Sequence, residues 1–239
     1  MNIVLDIGNT SSKIAFFKGG VLVEKKTVSI NELKQVIKNS EFDGGIISTV
    51  KKSDTLDELI KEEDSIIVLN KHLKTPITNN YSSPDTLGYD RLANAVGAFA
   101  LSPNKNNLII DAGTCLKFDF INSDNQYLGG SISPGLMMRA KALHTFTDKL
   151  PLIELFEATK LIGDSTLSSI LSGLVNGIMS EINDMINNYK CKYSDLQVFI
   201  TGGDAEFIYP MVDSQKSSIF AHNYITLLGL NRILEENVS

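Results

Sequence analysis

The sequence contains few cysteines and no long apolar run. Cys115 and Cys191 are its only cysteines, too few and too far apart for a disulfide framework or a zinc cluster. Reduced thiols and a cytoplasmic location are therefore expected. No stretch approaches the ~18 consecutive apolar residues of a membrane-spanning helix. The first apolar run is interrupted at Asp6, so no signal peptide is expected either.

Basic residues are in the minority. The chain of 239 residues has 22 Lys and Arg against 28 Asp and Glu, a formal net charge of -6. This balance argues against a surface built mainly for nucleic acid or for an anionic membrane. The expected partners are small molecules or other proteins.

Several motifs that mark well-known sites are absent. Neither GxxxxGKS, GxxxxGKT nor GxGxxG occurs, which excludes the P-loop and Rossmann modes of phosphate binding. HExxH, CxxC and GxSxG are missing as well. Any phosphate-binding site must therefore use other turns of the chain.

The chain does contain an α/β pattern, and the second half repeats the plan of the first. In the first half, the predicted strands are 2–6, 12–17, 21–28, 44–49, 65–70 and a short one near 77–79, and the predicted helices follow Ser29 and cover 53–62 and 85–101. In the second half, the predicted strands are 107–111, 116–121, 126–132 and 197–201, and the main helices are 134–150, 165–189 and 222–236. Apolar strands that alternate with helices are typical of largely parallel sheets with crossover connections.

Asp6 and Asp111 lie about half the chain apart, and each ends an apolar strand that runs into a turn with Gly and Thr. This arrangement predicts an internal duplication, with domains at 1–104 and 105–239 whose turns meet across a cleft. Gly turns expose N–H groups to phosphate oxygens and carboxylates hold cations, so such a cleft suits a nucleotide. One such turn alone is more often structural, but a third Gly-rich turn, TGGD at 201–204, favours a site.

Four motifs follow one another along the chain: DIGNT at 6–10 with Lys13, LGYDR at 87–91, DAGT at 111–114 and GGSISPGL at 129–136. In order and spacing they resemble the type III pantothenate kinases, and the similarity spans essentially the whole chain. That family belongs to the actin, hexokinase and Hsp70 superfamily. The resemblance implies an α/β fold with two tandem ribonuclease-H-like (actin-like ATPase) domains and a nucleotide cleft between them.

The resemblance also implies an enzyme that phosphorylates pantothenate to 4'-phosphopantothenate with ATP and Mg²⁺, the first step of coenzyme A biosynthesis. It further implies a monovalent cation, K⁺ or NH₄⁺, and a homodimer. The residues that match the family's site positions are Asp90 as catalytic base; Asp6, Ile7, Gly8, Asn9, Thr10, Ser11, Ser12, Lys13 and Thr114 for ATP; Tyr81, Gly88, Tyr89, Asp90, Arg91 and Thr166 for pantothenate; and Asp111 for the monovalent cation.

These residues also have structural interpretations. Asp90 and Arg91 could be ordinary charges in the first turn of a helix. Lys13 could be a solvent-exposed hairpin lysine, and Thr166 a helix cap.

The chain departs from the family pattern at two places. After DAGT the family commonly has Ala and, a little later, a hydroxyl-bearing residue, whereas this chain has Cys115, Leu116 and Lys117. An exposed strand lysine is the favoured interpretation of Lys117, ahead of a phosphate or substrate contact. The second departure is Ser165, where relatives often have Asn.

Two other functions stay open at the level of sequence. One is a non-catalytic regulatory or binding module on the same fold, and the other is a different small-molecule kinase or phosphatase, acting for example on a sugar or acetate. The joint presence of Asp6, Asp90 and Asp111 favours an enzyme. LGYDR and GGSISPG point to pantothenate more narrowly than DIGNT does.

Overall fold

The computed structural model describes every residue except 9–11, 50–57, 59, 61, 155, 158, 213–217 and 239. Contacts divide the chain into two compact units. Unit 1 comprises Met1–Asn104, Asp124–Leu128 and Tyr224–Ser239, and unit 2 comprises Lys105–Ser123 and Gly129–Asn223. Whether the units are the two products of a duplication stays a prediction.

Strands and helices alternate along most of the chain. The strands are β1 (Asn2–Ile7), β2 (Ser12–Lys18), β3 (Val21–Val28), β4 (Gly44–Thr49), β5 (Ile66–Val68), β6 (Thr78–Asn79), β7 (Asn107–Ala112), β8 (Cys115–Ile121), β9 (Gln126–Pro134), β10 (Gln197–Thr201) and β11 (Ile219–Ala221). The α-helices are α1 (Ile30–Lys38), α2 (Tyr89–Leu101), α3 (Leu136–Thr145), α4 (Thr166–Lys192), α5 (Ala205–Ile208) and α6 (Ile225–Val238). The helix predicted at 53–62 falls mainly outside the described residues.

The two sheets share one plan. In unit 1 the strand order is β3-β2-β1-β4-β5, with β1 antiparallel to β2 and parallel to β4. In the second sheet the order is β11-β10-β7-β8-β9, with β7 antiparallel to β8 and parallel to β10. A sixth strand, β6, pairs in parallel with Gln126 and Tyr127 at the start of β9. The predicted α/β class, with a meander followed by parallel strands in each half, is confirmed.

Capping boxes set the starts of two helices. Ser29 donates its backbone N–H to Glu32 Oε2 over 2.8 Å before α1, and Ser165 Oγ accepts from the backbone N–H of Ser168 over 3.2 Å before α4. Such reciprocal bonds satisfy N–H groups that have no partner within the helix. Both helices therefore begin close to their predicted positions.

Three elements differ from the sequence-based predictions. The helix predicted over 85–101 is divided: Pro84–Thr86 forms a 3₁₀ turn, and α2 starts only at Tyr89, with Gly88 as its N-cap. The helix predicted to reach residue 150 ends at Thr145. Strand β11 was not predicted, because its three residues are too short to show a periodic pattern.

Side-chain alternation sends one face of each hairpin into a core. In unit 2 the even-numbered residues of β7 and β8 join a cluster with apolar residues of α4. The residues concerned are Leu108, Ile110, Ala112, Leu116, Phe118 and Phe120. The odd-numbered residues, which include Asp111 and Lys117, belong to the opposite face of the sheet. Within the described part of the chain, no helix is both long and apolar enough to span a membrane.

Helix α2 of unit 1 packs closely against α6. A Cβ placed on Gly229 would lie 1.8 Å from the carbonyl oxygen of Ala93, so the backbones touch with no side chain between them. Thr226 Oγ1 donates a hydrogen bond to the buried Asn94 Oδ1 over 2.6 Å. Because α6 also packs against β1 and β4, this contact fixes α2 on the sheet of its own unit.

Candidate functional site

The first predicted turn lies at the end of β1. Asp6 is the second-last residue of the strand, and Lys13 opposes it directly on β2. Ile7 and Ser12 are buried, whereas Asp6, Gly8 and Lys13 are half-buried. Asn9, Thr10 and Ser11 lie outside the described residues. The hairpin register therefore places the acidic Asp6 and the basic Lys13 opposite each other, next to the turn.

The second predicted group surrounds the start of α2. Gly88 is the N-cap, and Tyr89, Asp90 and Arg91 form the first turn. A Cβ on Gly88 would lie 2.6 Å from Asp90 Oδ1, so the carboxylate uses space that any other residue would fill. A negative charge is favourable there because of the helix dipole. Asp90 is half-buried, which leaves its carboxylate within reach of a ligand.

Arg91 is held against an aromatic ring. The residue is only 5% exposed, and its guanidinium carbon lies 5.5 Å from the centre of the Tyr81 ring. Arg91 Nη1 donates to Tyr81 Oη over 3.5 Å. The Tyr81 ring in turn lies 6.0 Å, centre to centre, from the fully buried Tyr127. The structure thus brings Tyr81, Gly88, Asp90 and Arg91 together.

The sequence interpretation missed Tyr127. The sequence predicts only that it belongs to the strand QYLGGSI, since no motif contains it. The pairing of β6 with the start of β9 places Tyr127 near Tyr81, and that pairing is not visible in the sequence.

In unit 2, three turns meet near Asp111. The backbone N–H of Gly135 donates to Thr114 O over 3.2 Å, and that of Asp204 donates to Ala112 O over 2.9 Å. Gly202 has φ +99°, and a Cβ there would lie 2.7 Å from Asp111 Oδ1, so only glycine fits. The DAGT, SPG and TGGD turns therefore lie side by side.

Asp111 forms an ion pair within its own hairpin. Lys117 Nζ lies 2.7 Å from Asp111 Oδ2, and each of the two side chains is 15% exposed. The interpretation of Lys117 as an exposed strand lysine is therefore wrong. The residues face each other across β7 and β8, and side-chain alternation directs both to the face opposite the apolar core.

Two further residues complete the account of unit 2. Burial raises the pKa of Asp204 above its ordinary value, which reflects how closely the TGGD turn is covered.

Thr166 is the first residue of α4 and is exposed. Because Ser165 supplies the helix cap, the structure leaves the Thr166 hydroxyl outside the capping box. No described contact joins Thr166 to Asp111 or Thr114.

Comparison with known proteins identifies the family of the chain. The family model for the type III pantothenate kinase matches residues 2–188. The type III pantothenate kinase of Cytophaga hutchinsonii is 44% identical over 239 residues, which cover 100% of both chains.

Solved structures support the fold. A Campylobacter jejuni protein assigned provisionally to the Baf family of transcriptional activators is 20% identical, with a TM-score of 0.66 and 98% of each chain covered. The glucokinase of an Antarctic psychrotroph is 11% identical, with a TM-score of 0.53 over 98% of each chain. At these identities the likeness concerns the fold alone. With the match to the family model and to the curated relative, the chain belongs to the type III pantothenate kinase family.

Proposed function

We propose that this chain carries out the reaction of its family, the ATP-dependent phosphorylation of pantothenate that begins coenzyme A biosynthesis, with Asp90 as the base. The main support is the arrangement of Gly88, Asp90, Arg91 and Tyr81 at the start of α2. It places a carboxylate beside Gly88 and a guanidinium beside Tyr81, both from LGYDR, one of the two motifs that point to pantothenate more narrowly than DIGNT does.

The proposed chemistry is a direct phosphoryl transfer. Asp90 accepts the proton of the primary hydroxyl of pantothenate, the hydroxyl oxygen forms a bond to the γ-phosphorus, and the bond from that phosphorus to the β,γ-bridging oxygen breaks, so that ADP leaves. The transition state is loose, so catalysis depends mainly on positioning and on charge neutralisation. A carboxylate that is held at the N-terminus of a rigid helix meets the positioning requirement.

For ATP we assign the turn from Asp6 to Lys13, including Ile7, Gly8, Asn9, Thr10, Ser11 and Ser12, together with Thr114. Mg²⁺ neutralises phosphate charge when it is bound with ATP, and the Asp6 carboxylate offers the oxygen ligand that this ion prefers. Lys13, which opposes Asp6 in the hairpin, provides a positive charge for phosphate oxygens. For pantothenate we assign Tyr81, Gly88, Tyr89, Arg91 and Thr166.

The monovalent cation that the resemblance implies at Asp111 does not fit the residues present. Asp111 Oδ2 is already in contact with the Lys117 ammonium at 2.7 Å. A second positive ion on the same carboxylate would be repelled by that ammonium at short range. We therefore derive no step of the reaction through a monovalent cation.

A substrate panel tests the proposed function. ADP release by the purified chain should depend on pantothenate, and glucose, N-acetylmannosamine and acetate should give no more than background turnover. The panel is run with Mg²⁺ and with KCl present. A folded chain that turns over a sugar or acetate but not pantothenate would assign it to another kinase class, and one with no turnover at all would favour a binding module.

Exchange of Arg91 for lysine should weaken pantothenate binding. We propose that the Arg91 guanidinium holds the pantothenate carboxylate, since the Tyr81 ring fixes its plane. Arg91→Lys keeps the charge but loses the flat two-pronged donor, so KM for pantothenate should rise roughly 10- to 100-fold, the equivalent of about 1.5–3 kcal/mol for a charge-assisted hydrogen bond.

Steady-state kinetics with each substrate varied in turn measure this effect. KM for ATP should change less than KM for pantothenate. Arg232→Lys is the matched control, because Arg232 lies on α6 in ion pairs with Glu235 and Glu236 and has no role in the proposed site. Equal effects of the two exchanges on KM for pantothenate would contradict the assignment.

We also propose that the chain forms a homodimer and that it is located in the cytoplasm. The support for the homodimer is an exposed apolar surface in unit 2, formed by Leu161, Ile162 and Leu167, which are 81%, 80% and 54% exposed. Ser172 Oγ donates to Leu161 O over 2.6 Å, so the surface is held in place on α4. Exposed apolar patches are typical of interaction surfaces, and a second copy of the chain is the partner that we assign.

Ile162→Glu should therefore yield monomers. Light scattering after size exclusion should give the wild type twice the mass of one chain and the variant the mass of one chain, because a charge would have to be buried at the contact. Val21→Glu, at an exposed apolar position of β3 in unit 1, is the control and should remain a dimer. A wild type that elutes with the mass of one chain would contradict the proposal.

A further inference from the structure

We propose that the Lys117 ammonium takes the place of the monovalent cation at Asp111, so that phosphoryl transfer by this chain requires neither K⁺ nor NH₄⁺. The inference rests on the proposed function, because it concerns the ionic requirement of that reaction. It departs from the family resemblance, which implies a bound monovalent cation at this residue.

The β7–β8 hairpin holds Asp111 and Lys117 together. Asp111 and Lys117 are direct partners in the antiparallel register of β7 and β8. The Nζ to Oδ2 distance of 2.7 Å is that of a charge-assisted hydrogen bond. Paired strands hold both backbones, so this contact is built into the sheet.

The ion pair of Asp111 and Lys117 is also largely shielded from water. Both side chains are only 15% exposed, whereas most ion pairs of the described chain are far more exposed, such as Lys71 with Asp85 at 59% and 74%. In such surroundings water screens the pair only weakly. The ammonium therefore interacts with the Asp111 carboxylate more strongly than a lysine at the protein surface would.

Both oxygens of the Asp111 carboxylate have close neighbours. Its other carboxylate oxygen, Oδ1, faces Gly202, where a Cβ would come within 2.7 Å. The TGGD backbone thus lies beside one oxygen of the carboxylate, and Lys117 lies beside the other. An ammonium group on a side chain supplies one positive charge at hydrogen-bonding distance from oxygen, which is the electrostatic contribution that a bound monovalent ion would make.

Lys13 illustrates the other role that a lysine in such a hairpin can have, which is to bind phosphate. It opposes Asp6 in the first hairpin as Lys117 opposes Asp111 in the second, and we assign it to the phosphates of ATP. If Lys117 also served phosphate, its removal would weaken ATP binding, and small cations would not replace it. If it serves as a built-in cation, small cations should replace it.

The experiment compares wild type, Lys117→Met and Lys141→Met in buffers whose only monovalent cation is tetramethylammonium, and then with KCl or NH₄Cl added. Lys141 is an exposed lysine of α3 in the same unit, and methionine keeps most of the side-chain volume. Wild type and Lys141→Met should change less than about twofold on addition of K⁺. Lys117→Met should lose about a hundredfold in kcat without K⁺, as expected for one lost electrostatic group in a site, and should recover at least tenfold with K⁺ or NH₄⁺.

Thermal unfolding gives a readout that does not depend on turnover. A cation that binds the folded chain raises the Tm, so KCl should raise the Tm of Lys117→Met above its value in tetramethylammonium chloride and leave that of the wild type unchanged. If Lys117→Met fails to fold, the cation titration of the wild type still tests whether the reaction requires K⁺ or NH₄⁺.

Three results would overturn the inference or its basis, and they differ from one another. Wild-type turnover that rises manyfold with K⁺ would refute the inference while the pantothenate kinase function stands. A Lys117→Met variant that stays inactive with every small cation and has a raised KM for ATP would assign Lys117 to phosphate. A wild type without pantothenate turnover in any buffer would refute the proposed function itself.

Discussion

Exchange of Asp90 for asparagine should lower kcat by about 10²–10⁴-fold, the contribution typical of a positioned general base. The amide keeps the shape of the carboxylate but cannot accept the proton of the pantothenate hydroxyl. KM for ATP should change little, since Asp90 is not among the residues assigned to ATP. The variant should fold normally, because asparagine fits the space beside Gly88 that Asp90 occupies.

Asp85→Asn is the matched control for this experiment. Asp85 lies five positions earlier, is exposed, and pairs with Lys71 Nζ at 2.8 Å, and this pair lowers the pKa of the Asp85 carboxyl. An exposed ion pair adds little to stability, and Asp85 has no role in the proposed reaction, so kcat should be unchanged. Initial rates at saturating pantothenate and ATP measure both variants, and near wild-type kcat in Asp90→Asn would reject Asp90 as the base.

Exchange of Gly229 for alanine should destabilise unit 1 by about 2–3 kcal/mol, in the range found for overpacked cores. The new Cβ would lie 1.8 Å from Ala93 O and 2.7 Å from the Gly97 backbone nitrogen. Backbone atoms cannot rotate away as a flexible side chain can, so α2 and α6 must separate. Since α2 carries Asp90 at its N-terminus, some loss of kcat should accompany the loss of stability.

Gly173→Ala provides the contrasting control. Gly173 lies in the interior of α4, is exposed, and a Cβ there would meet nothing within 4 Å. Alanine costs less backbone entropy than glycine in a helix, so this exchange should stabilise the chain by roughly 0.5–1 kcal/mol. Urea unfolding followed by circular dichroism compares the variants, and equal midpoints for Gly229→Ala and the wild type would show that the helices do not depend on this close contact.

The parts of the fold and the site that the sequence predicts are those encoded in short stretches. Asp6, Asp90 and Asp111 each stand at a strand end or a helix start beside turn-forming residues. Period-2 and period-3.6 patterns therefore identified most elements around them. The sequence also predicts that the second half repeats the plan of the first, and the two sheets do share one strand plan.

Contacts between distant stretches were not predictable in the same way. The packing of Tyr127 against Tyr81 depends on the two-residue pairing of β6 with β9, which has no sequence signature. The burial of Lys117 was also missed. Alternation shows which residues share a face of a strand, but it does not show whether that face is covered.

The most direct test of the account is to identify the product. Purified wild type is incubated with pantothenate, ATP and Mg²⁺, and mass spectrometry and ³¹P NMR follow pantothenate and its phosphate ester, with Asp90→Asn in parallel. The account predicts that the wild type forms one phosphate monoester at the primary hydroxyl for each ADP released, and that Asp90→Asn forms it at no more than about a hundredth of that rate. A folded wild type that leaves pantothenate unmodified, or an Asp90→Asn variant that phosphorylates it at the wild-type rate, would contradict the account.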